Sequence, residues 1–166
     1  MEKGIIGKID NYYEYDVRVV WDKIKFGVEK ILTEDVDWLT LRPEDIYSQC
    51  ANGTCRIWSP DSYPINDVFG ITKIDTCPYR LNKTLQMLIA WSVVDDKNVR
   101  DTYDSLMTKI ARATGCDGIE FWTSSVKVAD YSIDKGFSKR IHVCRRNVSQ
   151  TTNEKLRAVS SDWANE

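Results

Sequence analysis

Residues 84–146 read TLQMLIAWSVVDDKNVRDTYDSLMTKIARATGCDGIEFWTSSVKVADYSIDKGFSKRIHVCRR. Thr84 to Val94 is strongly apolar and holds Ile89, Trp91, Val93 and Val94. Such a run predicts a buried central strand, although the Leu85 to Ala90 part also suits a helix. Val99, Tyr103, Leu106, Met107, Ile110 and Ala111 then recur three and four apart, which predicts the main helix over 97–114, closed by Gly115. Gly118 to Trp122 reads as a second buried strand. Ser124 or Ser125 suits the cap of a short helix carrying Val126, Val128, Ala129 and Ile133 and ending at Gly136. Ser138 to Arg146 alternates Ile141 and Val143 with basic residues, as a half-buried strand does. The core expected under the main helix is Ile89, Val93, Leu106, Ile110, Ile119 and Phe121.

Upstream, Val17, Val20, Trp21, Ile24, Val28, Ile31 and Leu32 predict an amphipathic helix over about residues 15–32, broken by Asp35 to Asp37. A shorter helix begins near Thr40. Pro43 suits its first turn, Glu44 and Asp45 its positive end, and Gly53 its stop. Cys55 to Trp58 and Val68 to Ile74 predict two strands, separated by Ser59-Pro60-Asp61. The predicted order is helix, helix, strand, strand, strand, helix, strand, helix, strand. This is an α/β (α+β) chain with one domain over 1–147 and a polar tail over 148–166.

Composition narrows the function classes. The 166 residues are 42% hydrophobic, enough to fill a core without staples. A net charge of −2 argues against a general nucleic-acid binder. Residues 1–70 hold 13 acids and 8 bases, whereas residues 71–147 hold 9 acids and 13 bases. So dipolar a chain could dock on a protein by complementary faces. No apolar stretch approaches the length of a membrane span, and MEKGIIGKID has no secretory apolar core. The five cysteines form no C-x-x-C pair, Cys50 and Cys55 being five apart and the rest scattered, and all are read as reduced thiols packed as small apolar groups in a cytoplasmic protein. A metal site is not expected, with His142 the one histidine and no ligand cluster.

The ordered elements, with Lys135-Gly136-Phe137 after the short helix, resemble the GNAT acetyltransferase superfamily. The resemblance covers residues 55–146 and, more loosely, the two N-terminal helices. It implies a mixed central sheet with two N-terminal helices, a main helix, and a short helix before the last strand. It also implies a glycine-rich loop that holds the pyrophosphate of acetyl-CoA at the start of the main helix, where backbone N–H groups and the helix dipole favour anions. Here that stretch is Asp95-Asp96-Lys97-Asn98-Val99-Arg100-Asp101-Thr102-Tyr103-Asp104, with no glycine and four aspartates. Arg100 alone could stand for a basic residue of such a loop. Counting back from Gly136-Phe137 puts the family's usual Asn on Ser125, its Ala on Val128 and its proton-donating Tyr on Ser132. Tyr131, one position away and about 100° round the helix, is the remaining candidate acid. The expectation is therefore a non-catalytic interaction or assembly protein that binds no acetyl-CoA. The alternative is an acyl-CoA-dependent N-acetyltransferase with an atypical cofactor loop. Small proteins of this fold encoded by tailed phages resemble the chain most, which implies a virion-associated protein found in the host cytoplasm and the virion.

Partner-binding candidates lie near the end. Lys139, Arg140, Arg145 and Arg146 cluster around the last predicted strand, where they either face an acidic partner or protect a sheet edge. His142 and Cys144 share a strand face but lack an orienting third group. In the tail, Leu156, Val159 and Trp163 are spaced three and four apart and would form one apolar stripe on a helix, suited to docking on another chain.

Overall fold

The computed structural model describes residues 3–34, 41–77, 82–94, 97–121 and 126–137. Its elements in chain order are β1 (Ile5–Ile9), β2 (Tyr12–Tyr15), α1 (Val17–Glu34), α2 (Pro43–Ala51), β3 (Cys55–Pro60), β4 (Val68–Cys77), β5 (Asn82–Ser92), α3 (Lys97–Thr114), β6 (Gly118–Phe121) and α4 (Val126–Asp134). The strands form one sheet in the order β1-β2-β3-β4-β5-β6. Neighbours are antiparallel except β5 and β6, which are parallel and joined through α3.

Four described helices and a mixed sheet agree with the α+β class read from the sequence. The opening does not agree, because a hairpin precedes the first helix. Tyr12 and Tyr15 are buried in it while Ile6 is 63% exposed, so its apolar residues do not mark a single inward face. Asp16 then starts α1: its carboxylate accepts a hydrogen bond from the Arg18 amide at 3.0 Å, which moves the helix start from 15 to 17. Gly115, with φ at +68°, follows α3 as expected.

Helices cover both faces of the sheet. Val20, Ile24 and Val28 of α1 and Ile46 of α2 pack with Ile57, Phe69, Ile71 and Ile89 on one face. Leu106, Met107, Ile110 and Ala111 of α3 pack with Trp58, Leu85 and Met87 on the other. β5 therefore contributes to two cores, which accounts for its nearly continuous apolar run. Two residues of the expected α3 core move. Ile89 is buried on the α1 side, and Val93 lies past the end of β5 and is 58% exposed. The cause is a bulge: Ile71 faces Ile89 but Thr72 faces Met87, so Leu88 is the extra residue and the side-chain alternation inverts across it. Ile119 and Phe121 are half-buried against the α3 core.

Candidate functional site

The same bulge shapes the site. β6 pairs with β5 only from Thr84/Gly118 to Met87/Phe121. Beyond Met87, β5 has no paired neighbour on that side among the described residues, while β4 continues beside it to Ser92. A cavity of about 350 Å³ opens there, walled by α3 and α4 and lined by Met87, Trp91, Tyr103, Met107, Phe121 and Tyr131 among others. Its lining is mainly apolar, suited to an apolar guest, with Arg100 and Asp104 at its polar edge.

Tyr103 anchors α3 to β4 and β5 beside the cavity. Its hydroxyl donates to the Phe69 carbonyl oxygen at 2.7 Å and also reaches the Trp91 carbonyl. Burial holds this phenol well above its ordinary range. Gly70 makes room for it, since a Cβ there would meet Met87 at 3.1 Å and the Tyr103 ring at 3.4 Å. Trp91 is fixed from the other side by donating its indole N–H to the Asn66 carbonyl at 3.3 Å.

The polar edge of the cavity is a clamp between α3 and α4. Tyr131 of α4 donates to Asp101 Oδ1 of α3 at 2.5 Å. Lys135, just past the end of α4, lies 3.3 Å from the same oxygen. The Arg100 guanidinium and the Lys135 ammonium sit over the Tyr131 ring, 5.5 and 5.6 Å from its centroid. The Tyr131 hydrogen bond, joined by Lys135, holds the Asp101 carboxyl below its usual range. Burial, then the Asp101 carboxylate, pushes the Tyr131 phenol up.

Of the residues singled out in the sequence, Tyr131 and Arg100 line the cavity, and Lys97 and Asn98 form the first turn of α3 beside it. Ser132 lines it too, but its hydroxyl is turned back onto the Val128 carbonyl at 2.8 Å. Asp95, Asp96, Lys139, Arg140, His142, Cys144, Arg145, Arg146, Leu156, Val159 and Trp163 lie outside the described residues. Sequence reading missed the joining of Asp101 to Tyr131 and Lys135. Tyr131 and Lys135 are four apart on one helical face, but Asp101 stands thirty positions before Tyr131 and meets it only in the fold. Among the described residues no cluster of three or more His, Cys, Asp or Glu could hold a metal ion, and no helix is long and apolar enough to cross a membrane.

No family model and no curated protein matches the sequence. Solved structures do match the fold. A predicted acetyltransferase from Clostridium acetobutylicum, solved with acetyl-CoA, superposes with a TM-score of 0.61 at 10% identity over 82% of this chain and 95% of that one. A probable acetyltransferase gives 0.58 at 12% identity over 86% and 99%. An aminoglycoside acetyltransferase from an uncultured soil metagenomic sample, in complex with sisomicin, gives 0.58 at 8% identity over 86% and 100%. With a mixed sheet whose one parallel pair, β5 and β6, is joined through the main helix, the chain has the fold of the GNAT-type acetyltransferases.

Proposed function

We propose that this chain is a non-catalytic interaction protein on an acetyltransferase scaffold, one component of a larger protein assembly. The clamp between α3 and α4 supports this reading. A cofactor diphosphate approaching the start of α3 would meet the Asp101 carboxylate, kept ionised by Tyr131 and Lys135, with Asp104 three residues on. The segment has no glycine to bring backbone N–H groups close to phosphate oxygens. These residues do not fit the pyrophosphate of acetyl-CoA. The Tyr131 hydroxyl already donates its one hydrogen bond to Asp101, so the phenol is not disposed to serve a leaving group. Exposed Phe26, Val93 and Val94 supply apolar surface for a partner.

The alternative, an N-acetyltransferase, is favoured by the cavity between α3 and α4 and by fold neighbours that include an acetyltransferase solved with acetyl-CoA. Calorimetric titration with acetyl-CoA separates the two readings. The expected result is no binding heat up to roughly millimolar ligand, a range that corresponds to about −4 kcal/mol. Micromolar binding would overturn the proposal and favour the enzyme reading. A Tyr131→Phe variant would then ask whether the phenol contributes to turnover.

A further inference from the structure

The outward face of α1 carries an apolar line flanked by two rows of opposite charge. Val17, Val20, Ile24, Gly27, Val28 and Leu32 are its buried side. At about 100° per residue, Val19 and Thr33 each fall within about 20° of Phe26 on the opposite side. Val19 is 49% and Phe26 63% exposed. Thr33 is exposed as well, and its hydroxyl donates to the Glu29 carbonyl oxygen at 2.8 Å. The Phe26 ring is held edge-on to Trp91, 5.9 Å between centroids, with the Lys30 ammonium 5.7 Å from its own. Asp22 and Glu29 lie about 40° and 60° to one side of Phe26, and Lys30 and Lys23 lie about 40° and 60° to the other. Glu29 and Lys30 have partners along the helix, Lys25 at 3.8 Å and Glu34 at 3.2 Å. Asp22 and Lys23 are exposed and form no ion pair with another described residue.

We propose that this face pairs two copies of the chain, with α1 parallel to α1 about a twofold axis running along the helices. The charges select both the occupant and the direction. A parallel twofold carries the acidic row of one copy onto the basic row of the other at matching heights. Lys23 then lies beside Asp22 of the second copy, and Lys30 beside Glu29 of the second copy. The members of each pair are one residue, about 1.5 Å, apart along the axis. Symmetry repeats both pairs on the other flank. Phe26 meets Phe26 at the centre, and Val19 meets Val19 toward one end. An antiparallel pair would instead set Lys23 against Lys30 and Asp22 against Glu29, like charge against like. One helix face with exposed ion pairs makes a weak contact, so the pairing belongs to high chain concentration. It is independent of the cofactor question: acetyl-CoA binding would overturn the non-catalytic reading and leave this face as it is.

The test is sedimentation equilibrium of the full chain from roughly micromolar to roughly millimolar concentration, the range in which a weak pair forms. The expected result is a mass that rises from monomer to dimer. Asp22→Lys sets like charges together on both flanks and should weaken association about tenfold. Adding Lys23→Asp to it exchanges the two charges and should restore the pairing. In an antiparallel pair, Asp22→Lys would meet Glu29 and strengthen association instead. Thermal melts followed by circular dichroism should match the native chain, because both positions are exposed. Should Asp22→Lys fail to fold, Lys23→Asp alone gives the same reading, weaker for a parallel pair and stronger for an antiparallel one. A chain still monomeric at roughly millimolar, an association that Asp22→Lys strengthens or leaves unchanged, or a double variant that stays weak would each overturn the proposal.

Discussion

Tyr131 and Asp101 show how one hydrogen bond sets the charge of a site. The Asp101 carboxyl titrates below its unfolded value because Tyr131 and Lys135 favour its ionised form. A depressed acid contributes stability that is fully present above its unfolded pKa, about 4, and is lost as pH falls through the lower folded value. The clamp should therefore stay closed through neutral pH and open only in strong acid. Tyr131→Phe should raise the Asp101 pKa toward the ordinary carboxylate value, read from its side-chain NMR shift against pH. An unchanged titration would mean that Lys135 alone holds the charge. Leu106 tests the core instead. It is fully buried where α3 packs on the sheet, and Leu106→Ala should cost about 2–5 kcal/mol in urea unfolding. A loss below about 0.5 kcal/mol, typical of surface positions, would displace α3 from the described packing.

Among the elements, α1 and β5 approach most closely where Gly27 faces the sheet. A Cβ on Gly27 would lie 2.8 Å from the Trp91 ring and 3.0 Å from the Phe69 ring, so a bulkier residue pushes α1 off β5. Gly27→Ala should destabilise by about 1–3 kcal/mol despite alanine's better helix propensity. It should also disturb the Trp91 fluorescence, because Trp91 is the ring displaced; a stabilised protein with unchanged emission would contradict that packing. β5 itself was legible as a strand from its apolar run. Its faces were not, because one extra residue, Leu88, sends Met87 toward α3 and Ile89 toward α1. A bulge leaves no signature in an apolar stretch where every position is suited to burial. The N-terminal hairpin was illegible for a related reason: Ile5–Ile9 and Tyr12–Tyr15 are short strands, the first at the sheet edge, and exposed Ile6 blurs the alternation on which strand reading depends.

For the whole molecule, the proposed assembly role makes the tail a sensitive probe. Deleting residues 150–166 should leave the urea midpoint of the domain unchanged and reduce association, measured by sedimentation against the full chain. Lower domain stability with unchanged association would make the segment an internal brace and remove it from the partner surface. Leu156, Val159 and Trp163 carry that expectation on spacing alone.

The order from β3 to α4 was written in the sequence itself, because helix and strand periods are local and the main helix over 97–114 repeats its apolar face from Val99 to Ala111. The aspartate-rich, glycine-free start of α3 was equally plain, since backbone access to a phosphate depends on residue types at adjacent positions. Tertiary structure alone decided the rest. It brought Asp101 to Tyr131 and Lys135 and placed α3 and α4 around a cavity beside β5. These features depend on strand register and helix placement between residues distant in sequence, where side-chain packing rather than local periodicity sets the outcome.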